Sequence, residues 1–408
     1  MFPNSIGKYV AVIAVLLTFN GAALARHTAE HAIKIGAFLS LTGTASFLGE
    51  PAHNTLELYI DKLNAEGGVL GRELQLIHYD VGDSAEKAQT FVKRLIEVDQ
   101  VDILIGGSTT GTTLAVIPWV EQAGIPFISL AGSQAIIDPV KRWVFKTPPT
   151  DRMAASQIFT DLRARGIRKI ALISGADGFG VSGRQQAKAL AEDYGIEIVA
   201  DEIYTLNSTD KLAQLIRIQT TAGVQAVLNF GTGLGPALVT KNYRQLGLPW
   251  PLYQSHGVAS LAYLKLAGAA AEGVRLPAGP LLVAEHLSAA DPQKPLVTGY
   301  RNAYRWCYDQ PASSFGGYAL DALLLAVDAI TRAGTTEREA VRQALEETHH
   351  YVGVSGVFTL SPSDHLGLGP EALQMLEIRH GEFIALDRVE NNQDKYFANE
   401  SGGRVFKW

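Results

Sequence analysis

The sequence predicts an α/β protein made of two doubly wound parallel-sheet units. Three observations carry this. Apolar, strand-like runs alternate with helical stretches from Ile33 to Gly247, the pattern of βαβ units. The alternation breaks at Thr147-Pro148-Pro149-Thr150 and then starts again with the same layout. Glycine is abundant (40 of 408 residues) and charged residues make up only 19%, as suits many tight strand–helix turns around a sizeable core.

The first unit predicts strand Ile33–Leu39, helix Asn54–Glu66 ended by Gly67-Gly68, and strand Glu73–Asp80. Amphipathic helix Ala85–Asp99 follows, then strand Ile103-Leu104-Ile105 with the turn Gly106-Gly107. A helix over Thr113–Ala123 leads to a short strand Pro126–Leu130. The second unit predicts helix Ala154–Arg165, strand Lys169–Ser174, helix Gly183–Tyr194, strand Glu197–Tyr204, helix Lys211–Thr221, strand Ala226–Phe230 and helix Pro236–Gly247. Pro277–Pro280 is a second candidate crossing point. Tyr318–Ala333 is an apolar helix stopped by Gly334, and Glu337–Glu346 is a further helix. The tail Thr359–Trp408 alternates weakly and predicts turns and strands closing the second unit.

Residues 1–25 have the form of an export signal. One positive charge lies in Met1–Lys8, Val10–Leu17 is an apolar run too short to span a bilayer, and Ala23-Leu24-Ala25 is a small-x-small cleavage site. Cleavage after Ala25 would leave a protein beginning at Arg26, outside the cytoplasm. The formal net charge of −6 gives no sign of a nucleic-acid or anionic-membrane partner. Cys307 is the one cysteine, so the fold uses no intrachain disulfide, and its place in a predicted helix makes it a packed thiol.

Gly178-Phe179-Gly180-Val181-Ser182-Gly183 matches G-x-G-x-x-G between a strand and a helix, with Asp201 and Glu202 near the offset of a ribose-binding acid. An NAD-dependent oxidoreductase is therefore one alternative. The first glycine falls several residues past Ser174, however, and a glycine-rich ligand loop fits the spacing better. His27-Thr28-Ala29-Glu30-His31 matches a zinc-peptidase spacing but sits in a polar stretch without helical pattern. His349-His350 is a surface pair. No nucleophile–base pair stands out, so no enzyme, cofactor or metal is expected.

Ligands of open α/β sheets bind beyond the carboxyl ends of the strands. Three loops there are rich in small polar residues: Thr42–Ser46, Ser108–Thr113 and Ala131-Gly132-Ser133. Each leads toward a predicted helix, whose first N–H groups lack partners and carry positive dipole character. Such loops predict a carboxylate cradle, although N-capping alone also favours Ser and Thr.

With these segments on the page, the chain resembles the branched-chain amino-acid type of periplasmic solute-binding protein, the receptor component of ABC importers. The resemblance rests on Ile33-Lys34-Ile35-Gly36 with Thr42-Gly43, on Asn64–Gly71, on Ile105-Gly106-Gly107, on Ala123-Gly124-Ile125-Pro126-Phe127-Ile128-Ser129 and on Gly316–Ala322. It implies a type I fold, two lobes joined by three crossovers. Lobe 1 would be 32–148 plus 280–354, and lobe 2 would be 149–279 plus 355–408. It implies a periplasmic monomer that hands a small-molecule carboxylate to an inner-membrane permease. Matching the ligand residues one by one gives Thr110, Ala131 and Ser133 in lobe 1 and Phe179 and Phe230 in lobe 2.

At the position where amino-acid binders hold an acid for the ligand ammonium, the sequence has His256. A neutral or positive imidazole cannot neutralise a buried ammonium. The expected ligand is thus a carboxylate without an α-amino group, an aromatic acid or an aryl or branched keto acid, in a pocket lined by Phe47, Leu48, Phe179 and Phe230. The alternative is a hydrophobic amino acid whose ammonium is met by another acid, Asp201 or Glu285.

Overall fold

The computed structural model of the protein describes residues 32–386. The export-signal segment, the His27–His31 motif and the end of the tail from 387 lie outside the described residues. The first sheet comprises β1 (Ile33–Leu39), β2 (Leu74–Asp80), β3 (Ile103–Gly106), β4 (Phe127–Ser129) and β5 (Val144–Lys146). Its order is β2-β1-β3-β4-β5, and every pair is parallel. Helices α1 (Ser46–Ala65), α2 (Ala85–Glu97) and α3 (Thr110–Ala123) are the crossovers. β3 is buried along its whole length, as a strand covered on both faces must be, which is why its sequence is continuously apolar.

The chain then enters the second lobe: α4 (Asp151–Ala164), β6 (Lys169–Gly175), α5 (Gly178–Ala191), β7 (Glu197–Tyr204), α6 (Leu212–Thr220), β8 (Ala226–Phe230), α7 (Leu234–Gln245), β9 (Leu252–Gln254), α8 (Leu261–Ala267) and β10 (Arg275–Ala278). The order β7-β6-β8-β9-β10 repeats that of the first sheet. Beyond Gly279 the chain returns to lobe 1 with α9 (Lys294–Tyr308), α10 (Ser314–Ala333), α11 (Arg338–Glu346) and the short hairpin β11 (Tyr351–Val352) and β12 (Val357–Phe358). β13 (Gln374–Arg379) and β14 (Glu382–Ala385) finally add to β10 in antiparallel fashion.

α10 is long and apolar enough to cross a bilayer, but 83% of its most apolar stretch is buried inside lobe 1, where it packs on α1 and β3. It is a core helix. The expected lobe 2 segment 355–408 needs correction over its first part. Phe358, Leu360, Leu366, Leu368 and Ala372 pack into the lobe 1 core. The main chain at His365 accepts from Lys146 N (3.1 Å), extending the β5 edge, and its ring stacks on Phe145. The third crossing therefore falls near Leu373, because this segment carries apolar residues that the first core needs. Cys307 is also corrected: it is exposed. The buried face of α9 runs through Leu296, Tyr300 and Tyr304, and Cys307 stands off that line beside the exposed Trp306.

Helix α1 begins earlier than the sequence pattern predicts and places Gly49 over the end of β1. A Cβ at Gly49 would lie 2.1 Å from the Ser40 carbonyl oxygen, so the helix cannot sit there with any side chain. We expect Gly49→Ala to cost about 3 kcal/mol. By contrast Gly299, exposed inside α9 with nothing within 4 Å, should accept alanine with a gain of up to about 1 kcal/mol. Urea unfolding of the two variants measures both.

Candidate functional site: the cleft between the lobes

The carboxyl ends of the two sheets face each other, and the contacts between the lobes include these. A Cβ at Gly178 would lie 3.3 Å from Gly111 N and 3.3 Å from Thr110 Cγ2. A Cβ at Gly132 would lie 2.9 Å from His256 Nε2 and 3.1 Å from Phe179 Cε2. One at Gly233 would lie 3.4 Å from Phe47 Cε1. Ser133 Oγ meets Ser182 Oγ at 2.6 Å. At three of these contacts a missing side chain lets the lobes close.

The three polar loops are not equivalent. In the first, Asp80 accepts from Leu41 N, Thr42 N and Thr42 Oγ1, and Asp83 accepts from Thr44 N, Thr44 Oγ1 and Ala45 N. Two protein carboxylates thus already occupy the expected cradle. In the second, Ser108 Oγ accepts from Ser40 N, Thr109 and Thr112 form a capping box, and Thr113 Oγ1 donates to the Gly107 carbonyl. Thr110 Oγ1 alone among these hydroxyls is left buried without a partner. In the third, Ala131 N donates to Ser129 Oγ, and Ser133 Oγ accepts from Ala135 N while meeting Ser182. That loop leads only into a single turn, Gln134–Ile136, rather than a full helix.

Thr110 opens α3 and Gly178 opens α5, so two helix N-termini meet across the cleft. The α3 end presents positive dipole character with only hydroxyl caps, a natural seat for an anion, whereas the α5 end is already met by a protein carboxylate. Asp177 caps α5, its Oδ1 accepting from Phe179 N and Gly180 N.

His256 is buried on the lobe 2 side; neither ring nitrogen makes a hydrogen bond of good geometry, and the Pro149 carbonyl lies close enough to act on the ring. Its ring meets Phe179 edge to face at 5.3 Å between centroids. Burial, reinforced by the nearby Lys146 cation and opposed by the Pro149 carbonyl, pushes the imidazole down to about 3. The ring is therefore neutral, offering one donor and one acceptor.

Lys146 and Asp151, which flank the first crossover, were not foreseen. Lys146 is buried, its Nζ donating to the Pro148 carbonyl at 2.7 Å, and burial lowers it to about 7. Asp151 Oδ1 accepts from Gln134 N and Arg152 N, Asp151 N donates to the Gly132 carbonyl, and burial raises its carboxyl. The sequence signal was there: a charge on each side of the Thr-Pro-Pro-Thr break.

Of the expected apolar lining, Phe179 is buried at the contact and Phe47 bridges Gly233 and Phe315, with which its ring makes an edge contact at 5.6 Å. Leu48 is buried in the first turn of α1. Phe230 is corrected from lining to support. It is fully buried in the lobe 2 core behind Phe179, and a Cβ at Gly183 would touch it at 2.1 Å.

That packing also accounts for the glycine motif. Gly178 meets lobe 1, Gly180 lies against the Gly175 carbonyl (2.2 Å from a Cβ), and Gly183 lies over Phe230. Asp201 is held by Arg184 and Lys188, and Glu202 by Arg217. Neither acid stands ready for a ribose. Asp201 is equally unavailable to a ligand ammonium, as is Glu285, which pairs with Arg301 at 2.6 Å and is largely exposed. His349 and His350 are exposed just past α11, and among the described residues no cluster of three metal-binding side chains occurs.

Two wound lobes linked by three crossings around a closing cleft define a hinged ligand receptor. The profile of the family described as periplasmic binding protein matches residues 32–381, and the chain belongs to that family. Leu/Ile/Val-binding protein homolog 7 of Brucella melitensis is 27% identical over 231 residues, covering 54% of this chain and 56% of that protein. Leu/Ile/Val-binding protein homolog 8 of Brucella abortus is 28% identical over 204 residues, covering 46% and 49%. The chain spans about half the length of the curated relatives it matches. An extracellular ligand-binding receptor from Rhodopseudomonas palustris HaA2 superposes with a TM-score of 0.82 at 26% identity, covering 88% of this chain and 100% of the other. The isoleucine complex of the substrate binding protein LivJ from Streptococcus pneumoniae superposes with a TM-score of 0.75 at 22% identity, covering 87% and 100%, and shares the fold.

His256 holds no proton in the closed form, and we expect opening to return water to its ring. Between pH 6.5 and about 3 the open form binds more protons, so closure weakens as pH falls. The closed form should therefore be less favoured at pH 4.5 than at pH 7.5. Small-angle scattering of ligand-free protein should show the radius of gyration rising over this range, and less so in His256→Gln.

Proposed function

We propose that this chain is the receptor of an ABC importer, trapping a small organic acid that lacks an α-amino group between its lobes and delivering it to an inner-membrane permease. Aromatic carboxylates and aryl or branched keto acids are the favoured class, and the protein works in the periplasm as a stoichiometric binder. The family supports the receptor role; the choice of ligand rests on His256.

That residue is buried and neutral, and the charged neighbour acting on it is a cation, Lys146. The unpartnered Thr110 hydroxyl and the N-terminus of α3 favour a carboxylate on the lobe 1 side. An aromatic or branched body would lie against Phe179 and Phe47, and a keto oxygen would accept from His256. A hydrophobic amino acid is the second reading, favoured by the names of the Brucella relatives and the isoleucine bound to the pneumococcal protein. Both acids first considered for its ammonium are held by arginines.

Thermal unfolding against a panel of aromatic carboxylates, 2-keto acids and hydrophobic amino acids tests this. A ligand at a hundred times its dissociation constant stabilises by about 2.7 kcal/mol. Acids should shift the melting temperature and leucine and phenylalanine should not; a shift with amino acids alone overturns the ligand class while the family stands. His256→Glu should lose the acids and gain an amino acid.

A further inference from the structure

Lobe 1 carries a surface feature that neither its core nor the cleft uses. Trp306, in the last turn of α9, is 88% exposed, more than any other large apolar side chain among the described residues. The helix buries a separate line through Leu296, Val297, Tyr300 and Tyr304, and Trp306 stands off it. Arg305 is exposed beside the indole. Arg301, one turn earlier, pairs with Glu285, whereas Arg305 has no ion-pair partner among the described residues.

A groove of about 580 Å³ opens next to this knob, between α1, the edge strand β2 and the end of α9. Cys307 and Tyr308, the two residues after Trp306, are part of its wall. Leu58, Leu76 and Tyr308 give it an apolar base, each half-buried against the lobe 1 core. The Tyr308 hydroxyl donates to the Asn54 carbonyl at 2.7 Å, which clamps the end of α9 to α1 and fixes the groove in place. Two exposed carboxylates stand on the α1 side, Glu57 and Asp61. Glu57 faces His53 at 3.4 Å, but Asp61 has no cation partner among the described residues. The exposure of Trp306 shows that the indole does not fill the groove of its own chain.

Knob and groove are thus adjacent and complementary: a cation with an indole on one, a free carboxylate beside an apolar base on the other. An isologous contact needs just this, because a twofold axis between the two features applies each contact twice. Trp and Arg are also the residue types that dominate interface energies. We infer that two copies of this chain associate through α9 about a twofold axis, Trp306 of each entering the groove of the other and Arg305 of each meeting Asp61 of the other. Two indoles and the walls that receive them bury about 800 Å², less than the roughly 1,200 Å² at the low end of stable interfaces. The pair is therefore reversible, and the monomer implied by the family resemblance is its dilute form. The groove follows β2 from Leu74 to His78, short of the carboxyl end of the strand at Asp80, so the contact leaves the cleft and the hinge free.

Sedimentation velocity of the full chain over a dilution series tests the interface. The average mass should rise with concentration toward that of two chains. Trp306→Ala should weaken association about ten-fold or more. Arg305→Glu and Asp61→Arg should each weaken it too, because like charges then face each other across the axis. Mixed together, those two variants should associate again, since both cross-axis pairs become opposite in sign; a folding defect could not be rescued in this way, and melting curves of each variant verify folding. A mass of one chain at every concentration overturns the interface. So does association that Trp306→Ala leaves intact, or a mixture of the charge variants that stays as weak as either alone.

Discussion

The cleft depends on the close approach of two backbones. Gly132 of lobe 1 lies under His256 and Phe179 of lobe 2, and Gly178 of lobe 2 lies on the first turn of α3. With no Cβ between them, the lobes exclude water from the seam. Exclusion of water makes His256 neutral, and it strengthens whatever electrostatic interaction remains. It also presses two helix N-termini together. Their dipole ends have the same sign; Asp177 caps that of α5, while that of α3 meets no carboxylate. An anionic ligand seated on α3 would add an attraction that the closed seam strengthens, which is a physical reason for ligand binding to favour closure.

The crossover transmits this geometry. Asp151 begins the first helix of lobe 2, yet its backbone donates to Gly132 and its carboxylate accepts from Gln134, both in the lobe 1 loop that carries Ala131 and Ser133. Lys146, at the other end of the crossover, is anchored by the carbonyl of Pro148. A buried ion of either kind is costly without partners, so the two residues fix the strap between lobes in one shape and tie it to that loop. Ser133 and Ser182 continue the connection from that loop to α5.

The sequence revealed most of the fold because its signals are local. Strand and helix periods, Gly124 in a left-handed cap and the Pro-Pro break all act within a few residues. It misplaced residues 355–372 because the pull that holds Phe358 and Leu366 in lobe 1 comes from a core assembled far away in the chain. In the site, Thr110, Phe179 and His256 were expected by position, and the structure brings all three to the contact between the lobes. Phe230 was not separable from a lining residue, because a strand-end aromatic gives no sign of which face it turns to. The hydroxyl-rich loops misled for a related reason: Thr42 and Thr44 look free until folding brings Asp80 and Asp83 beside them.

This leaves an asymmetry between lobes of the same topology. Lobe 1 satisfies nearly all of its loop hydroxyls internally and leaves that of Thr110 without a partner. Lobe 2 brings the ring of Phe179 and the neutral imidazole of His256. These groups differ in shape and in hydrogen-bond sense, so they can reject a ligand that matches the charge but not the rest; a buried polar group left unpaired by the wrong ligand is a strong discriminator. Capture of the anion by lobe 1 and selection by lobe 2 during closure would then be successive uses of one hinge, and the same doubly wound sheet serves both because only its strand-end loops had to differ.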